Sequence, residues 1–176
     1  MSGRIVGATA VSPDLGAALA AELREAVALA LTWLAPVPDA SNRHRPLGRG
    51  WSPREIIGHL IDSASNNHGR FVRAAFTDTL VCDGYDQDEW VALHGYHEQP
   101  WIDLLERWGA FNEEVALALE GIPVAALTRT RSRHNLDRVA WKEVPQSEPV
   151  TLEYFVRDYI GHLRHHLRQV AAAVAS

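Results

Sequence analysis

The chain has 176 residues, 47% of them hydrophobic, which suits one domain with long loops. A net charge of −5 argues against general nucleic-acid binding, and no apolar run is long enough to cross a bilayer. The single cysteine, Cys82, excludes an internal disulfide and reads as an incidental thiol; the start MSGRIVGATAV lacks a secretory pattern, so the expected compartment is cytoplasmic.

Residues 1–11 read as a loose terminus. Ser12-Pro13-Asp14 then reads as a helix start, with Ser at N-cap and Pro at the first helical position. The apolar row Leu15, Leu19, Leu23, Val27, Leu31, Leu34 follows, and Pro36 and Pro38 end the helix. Residues 37–50 are expected to be a loop. Ser52-Pro53-Arg54-Glu55 is a capping box that opens a second long helix to about Phe76. An extended connection runs from Asp78 to His97. Within it DQDEWVALHG predicts a short helix that buries Trp90, Val91 and Leu93. A third helix starts at Gln99-Pro100, carries Trp101, Leu104, Leu105, Trp108, Phe111, Val115 and Leu119, and stops at Gly121 and Pro123. Residues 122–149 read as a polar connection with extended character, and Thr151 caps a fourth helix. Four long amphipathic helices predict an all-α chain, a four-helix bundle in one domain over 1–176 with its core at about 12–174.

The fourth helix reads YFVRDYIGHLRHHLRQV. Its apolar row of Leu152, Phe155, Tyr159, Leu163 and Val170 also takes in His162 and His166. Residues four apart on a helix are neighbours, so this pair can hold one metal ion from a single helix, as in the HExxH zinc motif. The second helix carries Ile56, His59, Ser63, Asn66 and Arg70 at steps of three and four. That face begins apolar and then turns polar. Buried unpaired polar groups cost about 1–3 kcal/mol each, so the row is expected to line a cleft facing the histidines of the fourth helix. His59 is the expected third ligand. His165 lies about a quarter-turn off the row, as an alternate ligand or a support for one. Arg70 could fork onto a substrate carboxylate or phosphate, and Asn66 could orient substrate or water; a polar network fixing the crossover through Asp86 or Asp88 is the competing reading. Ser63 in mid-helix more often bonds the preceding turn than attacks a substrate. No further carboxylate or histidine stands out on the inward rows as a general base.

Three pieces together resemble the DinB/YfiT-like superfamily of metal-dependent four-helix-bundle proteins. They are WSPREIIGHLIDSASNNHGRF (Trp51 to Phe71), GYDQDEWVALHGYHEQPW (Gly84 to Trp101) and YIGHLRHHLRQV (Tyr159 to Val170). The resemblance implies a long crossover between helices two and three. It also implies nickel or zinc held by His59, His162 and His166, with the family's helix-two Asn and Arg at Asn66 and Arg70. The activity it implies is either metal-dependent hydrolysis or S-transfer with a low-molecular-weight thiol on a small-molecule substrate. A non-catalytic binder of a small molecule or metal is the alternative. Six tryptophans, with Trp33, Trp90 and Trp141 outside the four inward rows, suggest a homodimer; neither nucleic acid nor membrane is an expected partner.

Overall fold

Local signals set each helix and long-range packing sets their order. The structure, a computed structural model, describes residues 14–45 and 50–175. Ser12 and Pro13 lie outside the described residues, and α1 (Leu15–Leu34) follows Asp14 at its N-cap. α3 (Pro53–Ala75) opens on the full capping box: the Ser52 side chain accepts from the Glu55 backbone N–H while the Glu55 carboxylate accepts from Ser52 N–H at 2.8 Å. α5 (Trp101–Gly121) and α8 (Leu152–Val174) complete the bundle, and the Thr151 hydroxyl caps α8 by accepting from Tyr154 N–H. Going round the bundle the order is α1, α5, α3, α8. The polar row of α3 and the histidine row of α8 are therefore on neighbouring helices.

The connections are more structured than the sequence predicts. Residues 37–50 contain α2 (Asp39–Arg43), where a loop is expected. Arg54, 2% exposed, holds it down: its guanidinium pairs with Asp39, donates to Asn42 Oδ1 at 2.5 Å and donates to the Gln99 carbonyl at 2.5 Å. Five residues give too little periodicity to separate helix from turn. The crossover from α3 to α5 carries α4 (Gln87–His94), capped by Asp86 and closed by Gly95 at φ 61°, then a 3-10 turn over Tyr96–Glu98. Val91 is buried and Trp90 half-buried, but Leu93 is 83% exposed, against the expectation of burial.

Residues 122–149 hold α6 (Val124–Thr128) and α7 (Leu136–Val139), with extended pieces between. Among the described residues there is no strand, only two isolated bridges, Leu80 with His134 and Arg131 with Val150. The acidic crossover and the basic 129–142 stretch face each other. Arg129 pairs with Asp78 at 2.7 Å, and the Asn135 side chain spans the Cys82 backbone, accepting from its N–H and donating to its carbonyl. Arg131, 1% exposed, donates to the carbonyls of Ala74, Thr77, Ala126 and Arg129.

The tryptophans behind the homodimer expectation are engaged within the chain. Trp33 packs on the core, Trp90 against Tyr85, and Trp141 against Gly161 and His165. Trp141 nonetheless stays 38% exposed, and Phe76 and Leu93 are exposed at 85% and 83%. No described helix is long and apolar enough to cross a membrane.

Gly58 decides how closely the crossover lies on α3. A Cβ there would sit 2.1 Å from the Tyr96 ring, whose hydroxyl donates to Asp62 at 2.6 Å. Gly58→Ala is expected to destabilise the fold by about 2 kcal/mol through overpacking; an unchanged urea midpoint would refute this seating of Tyr96.

Candidate metal centre

His59 comes from α3, 2% exposed; His162 and His166 come from α8 and are half-buried. One ligand nitrogen from each lies within 4.8 Å of the others, and His59 Nε2 is 3.2 Å from His162 Nε2. The ring centroids are 4.5–5.2 Å apart, edge to face. Two nitrogens of a tetrahedral zinc, each at about 2.0–2.1 Å, stand about 3.3 Å from one another, so the spacing fits one ion.

Electrostatics favours the same use. Burial, reinforced by neighbouring histidines, holds His59 at a pKa of about 3 and His162 at about 2, and burial also lowers His166. All three imidazoles are therefore neutral at pH 7, the state that ligates metals. The His166 tautomer is set by Gln169, whose Oε1 lies 2.7 Å from His166 Nδ1: Nδ1–H donates, and Nε2 keeps its lone pair. Gln169 Nε2 in turn donates to His165 Nε2 at 3.2 Å. His59 Nδ1 is buried without a hydrogen-bond partner among the described residues, and the Trp51 ring packs on its imidazole at 5.0 Å.

The triad forms one wall of a cavity of about 610 Å³ between α3, α8, the crossover and the 138–141 segment. Ser63, Arg70 and His165 also line it. Asn66 does not: it is half-buried, and its amide donates to the Asp62 carbonyl at 2.9 Å. The asparagine of the cavity is Asn67, reached from His59 and Ser63 by steps of four. Both asparagines flank the same face at helical spacing, and the packing against α8 selects the Asn67 side. Asn67 Nδ2 donates to the Ser63 carbonyl at 2.9 Å. His94 and His97 stay off the cavity. His94 Nδ1 is 3.1 Å from Asp62, and His97 Nδ1 is 3.0 Å from Ser52 Oγ.

The histidine row of α8 also contains a carboxylate, Asp158, one turn before His162 and 8% exposed. Its two oxygens accept from the backbone N–H groups of Trp141, at 2.8 Å, and Lys142, at 2.9 Å. That fixes the Trp141 indole at the cavity rim, 5.3 Å from the His165 ring and against Gly161, where a Cβ would come within 3.0 Å of the indole. Asp158 and Gln169 were both readable by the four- and three-residue spacings that single out the histidines. Trp141 had no local signal, because its place depends on a contact made across the fold.

Fold and histidine cluster together define a helical bundle with a three-histidine candidate metal centre. The chain belongs to the DinB superfamily, whose family model matches residues 22–170. It is 26% identical over 124 residues to a protein of Halalkalibacterium halodurans, and 26% identical over 129 residues to one of Oceanobacillus iheyensis. Both are provisionally named metal-dependent hydrolases. Each match covers 70% of this chain but only 66% and 64% of those proteins, respectively. Among solved structures, YfiT from Bacillus subtilis, described as a four-helix bundle of unusual topology, aligns with a TM-score of 0.73. That alignment covers 97% of this chain and 92% of YfiT at 19% identity, and shows a shared fold.

Two outcomes follow from the geometry. His59 titrates at about 3 in the fold against 6.5 when unfolded, so the unfolded chain binds more protons below pH 6.5. Its contribution to stability is whole above pH 6.5 and lost as pH falls from 6.5 towards 3, at about 1.4 kcal/mol per pH unit. Urea midpoints of metal-free protein should drop from pH 7 to pH 5, and His59→Gln should make that drop shallower; an equal drop in the variant would refute the assignment. Gln169→Leu, which removes the acceptor of His166 Nδ1–H, should weaken divalent-metal binding about 10–100-fold in a competition titration with a chromophoric chelator.

Proposed function

We propose that this protein is a metal-dependent enzyme acting on a small molecule, with His59, His162 and His166 holding one divalent ion, nickel or zinc. The observation that carries the reading is the convergence of three neutral imidazoles on the wall of an open cavity of about 610 Å³. Three protein ligands leave a coordination position free, the pattern of a catalytic rather than a structural site. A divalent ion held there would lower the pKa of a coordinated water or thiol towards neutrality and polarise a substrate. Imidazole ligands suit both nickel and zinc.

The residues around the triad divide the remaining work. Gln169 keeps His166 in the ligating tautomer, and Trp51 and Trp141 wall the site on its two flanks. Asp158 has both oxygens committed to backbone N–H groups, so it holds the rim in place rather than taking a proton from substrate. Nucleophile activation therefore falls to the ion, and that is compatible with hydrolysis and with S-transfer from a low-molecular-weight thiol alike. The provisional names of the two bacterial relatives support hydrolysis.

Metal analysis of protein purified without chelators should find about one divalent ion per chain, and His162→Ala should lose it. The metal-loaded protein is then assayed on ester and amide panels and on thiol–electrophile pairs, with His162→Ala as control. Turnover in one panel identifies the nucleophile. Saturable binding of a small molecule without turnover in either panel would make the protein a binder instead. Wild-type protein that takes up no metal would overturn the reading.

A further inference from the structure

Among the described residues three arginines are buried, and one of them is treated differently. Arg131 and Arg54 lie in the walls of the fold, each held by at least three protein acceptors. Arg131 donates to four backbone carbonyls, and Arg54 has Asp39, Asn42 and the Gln99 carbonyl. Arg70 is 6% exposed and lines the cavity that holds the histidine triad. Its Nη2 donates to the Asp83 carbonyl at 2.5 Å, and its Nη1 reaches Asn67 Oδ1 only at 3.4 Å. A guanidinium has five N–H donors. The rest of them have no protein acceptor among the described residues, and the nearby Asp83 carboxylate acts on this charge without a direct ion pair.

A buried cation with no carboxylate in direct contact is costly, whereas a guanidinium fork matched to an oxyanion makes strong paired hydrogen bonds. The surroundings select the anion. One guanidinium supplies one positive charge, and Asp86 and Asp88 line the same cavity. A monoanion is tolerated there better than a dianion, which favours a carboxylate over a phosphate. The Tyr85 ring lies 5.9 Å from the guanidinium carbon, and burial pushes the Tyr85 phenol up to about 12, so it stays a neutral O–H donor beside the site.

We propose that Arg70 is the anion-binding end of the substrate cavity, and that the molecule reacting at the histidine triad carries a carboxylate held there. The proposal rests on the triad's being a metal site. Arg70 is eleven residues beyond His59, about 16 Å along the helix axis. Helical side chains lean towards the N-terminus, so the guanidinium reaches back along the helix towards the triad, with which it shares the cavity. The carboxylate is thus separated from the reacting atom by a chain of several bonds rather than being adjacent to it.

The test uses thiols as a ruler. Cobalt-loaded protein is titrated with ω-mercaptoalkanoates of increasing length and with the ω-mercaptoalkanols of the same lengths, followed by the thiolate-to-cobalt charge-transfer band. At one intermediate length the acid should bind at least about ten-fold more tightly than the alcohol. Arg70→Gln should remove that advantage and leave the alcohol's affinity unchanged, while Arg70→Lys should keep part of it. Acids no better than alcohols at every length would overturn the anion site and leave the metal site standing. Protein that takes up no cobalt would overturn the metal site. In that event the metal-free protein, titrated calorimetrically with hexanoate against hexanamide, still decides the matter: equal or absent binding of the two overturns the role of Arg70, and a preference for hexanoate that Arg70→Gln abolishes supports it.

Discussion

A row of polar side chains on the inner face of α3 is the constraint on which the molecule depends. His59, Ser63, Asn67 and Arg70 occupy positions that in an ordinary bundle would be apolar, and each is less than a tenth exposed. Such a row is tolerable only where a neighbouring helix and a cavity answer it. α8 answers with His162 and His166, and the α1, α5, α3, α8 order brings the two rows to one seam. Beside the polar rows the same seam is aromatic, with Phe71 edge-on to Phe155 at 5.5 Å, and Tyr159 donates across the core to Asn112 at 2.6 Å. The firm core beneath the site lets the histidines sit at fixed spacing.

Loops that surround the cavity are held by backbone hydrogen bonds to charged or amide side chains, more than by apolar contact. Arg131 gathers carbonyls from α3, α6 and the segments beyond them; Asn135 imitates a strand partner for Cys82; Asp158 receives two N–H groups from the rim. A side chain that satisfies several backbone groups fixes an irregular path that has no ladder of its own. This is why the 122–149 connection, polar and weakly periodic, can nonetheless present Trp141 at a defined place.

The features with a period were legible in the sequence. Capping at Ser52 and Thr151, the apolar rows and the spacing of His59, His162 and His166 all repeat at helical intervals, and the bundle follows from them. Asn66 and Asn67 show the limit of that reading: they differ by 100° around the helix, both flank the inward face, and the contact with α8 decides between them. Leu93 fails for a related reason, since α4 packs on one side only and has more apolar residues than covered positions. α2, α6 and α7, of four or five residues each, are too short to show a period at all. Gln169 has readable spacing but no apolar or ligating signature, whereas Asp158 is a carboxylate on the histidine row that the expectation of no further inward carboxylate passes over.

His59 and His162 touch across 103 residues of chain. Closing so long a loop is entropically unfavourable, and every contact along the α3–α8 seam must first meet that loss. An ion shared between the two helices would therefore act as a reversible crosslink, absent from the unfolded chain and formed only once both ends are in place. Unloaded, the seam has only the packing of its two helices to keep it shut. The opening of the bundle would then be tied to the candidate metal centre, and the loading of one small cation would set how readily these two helices part.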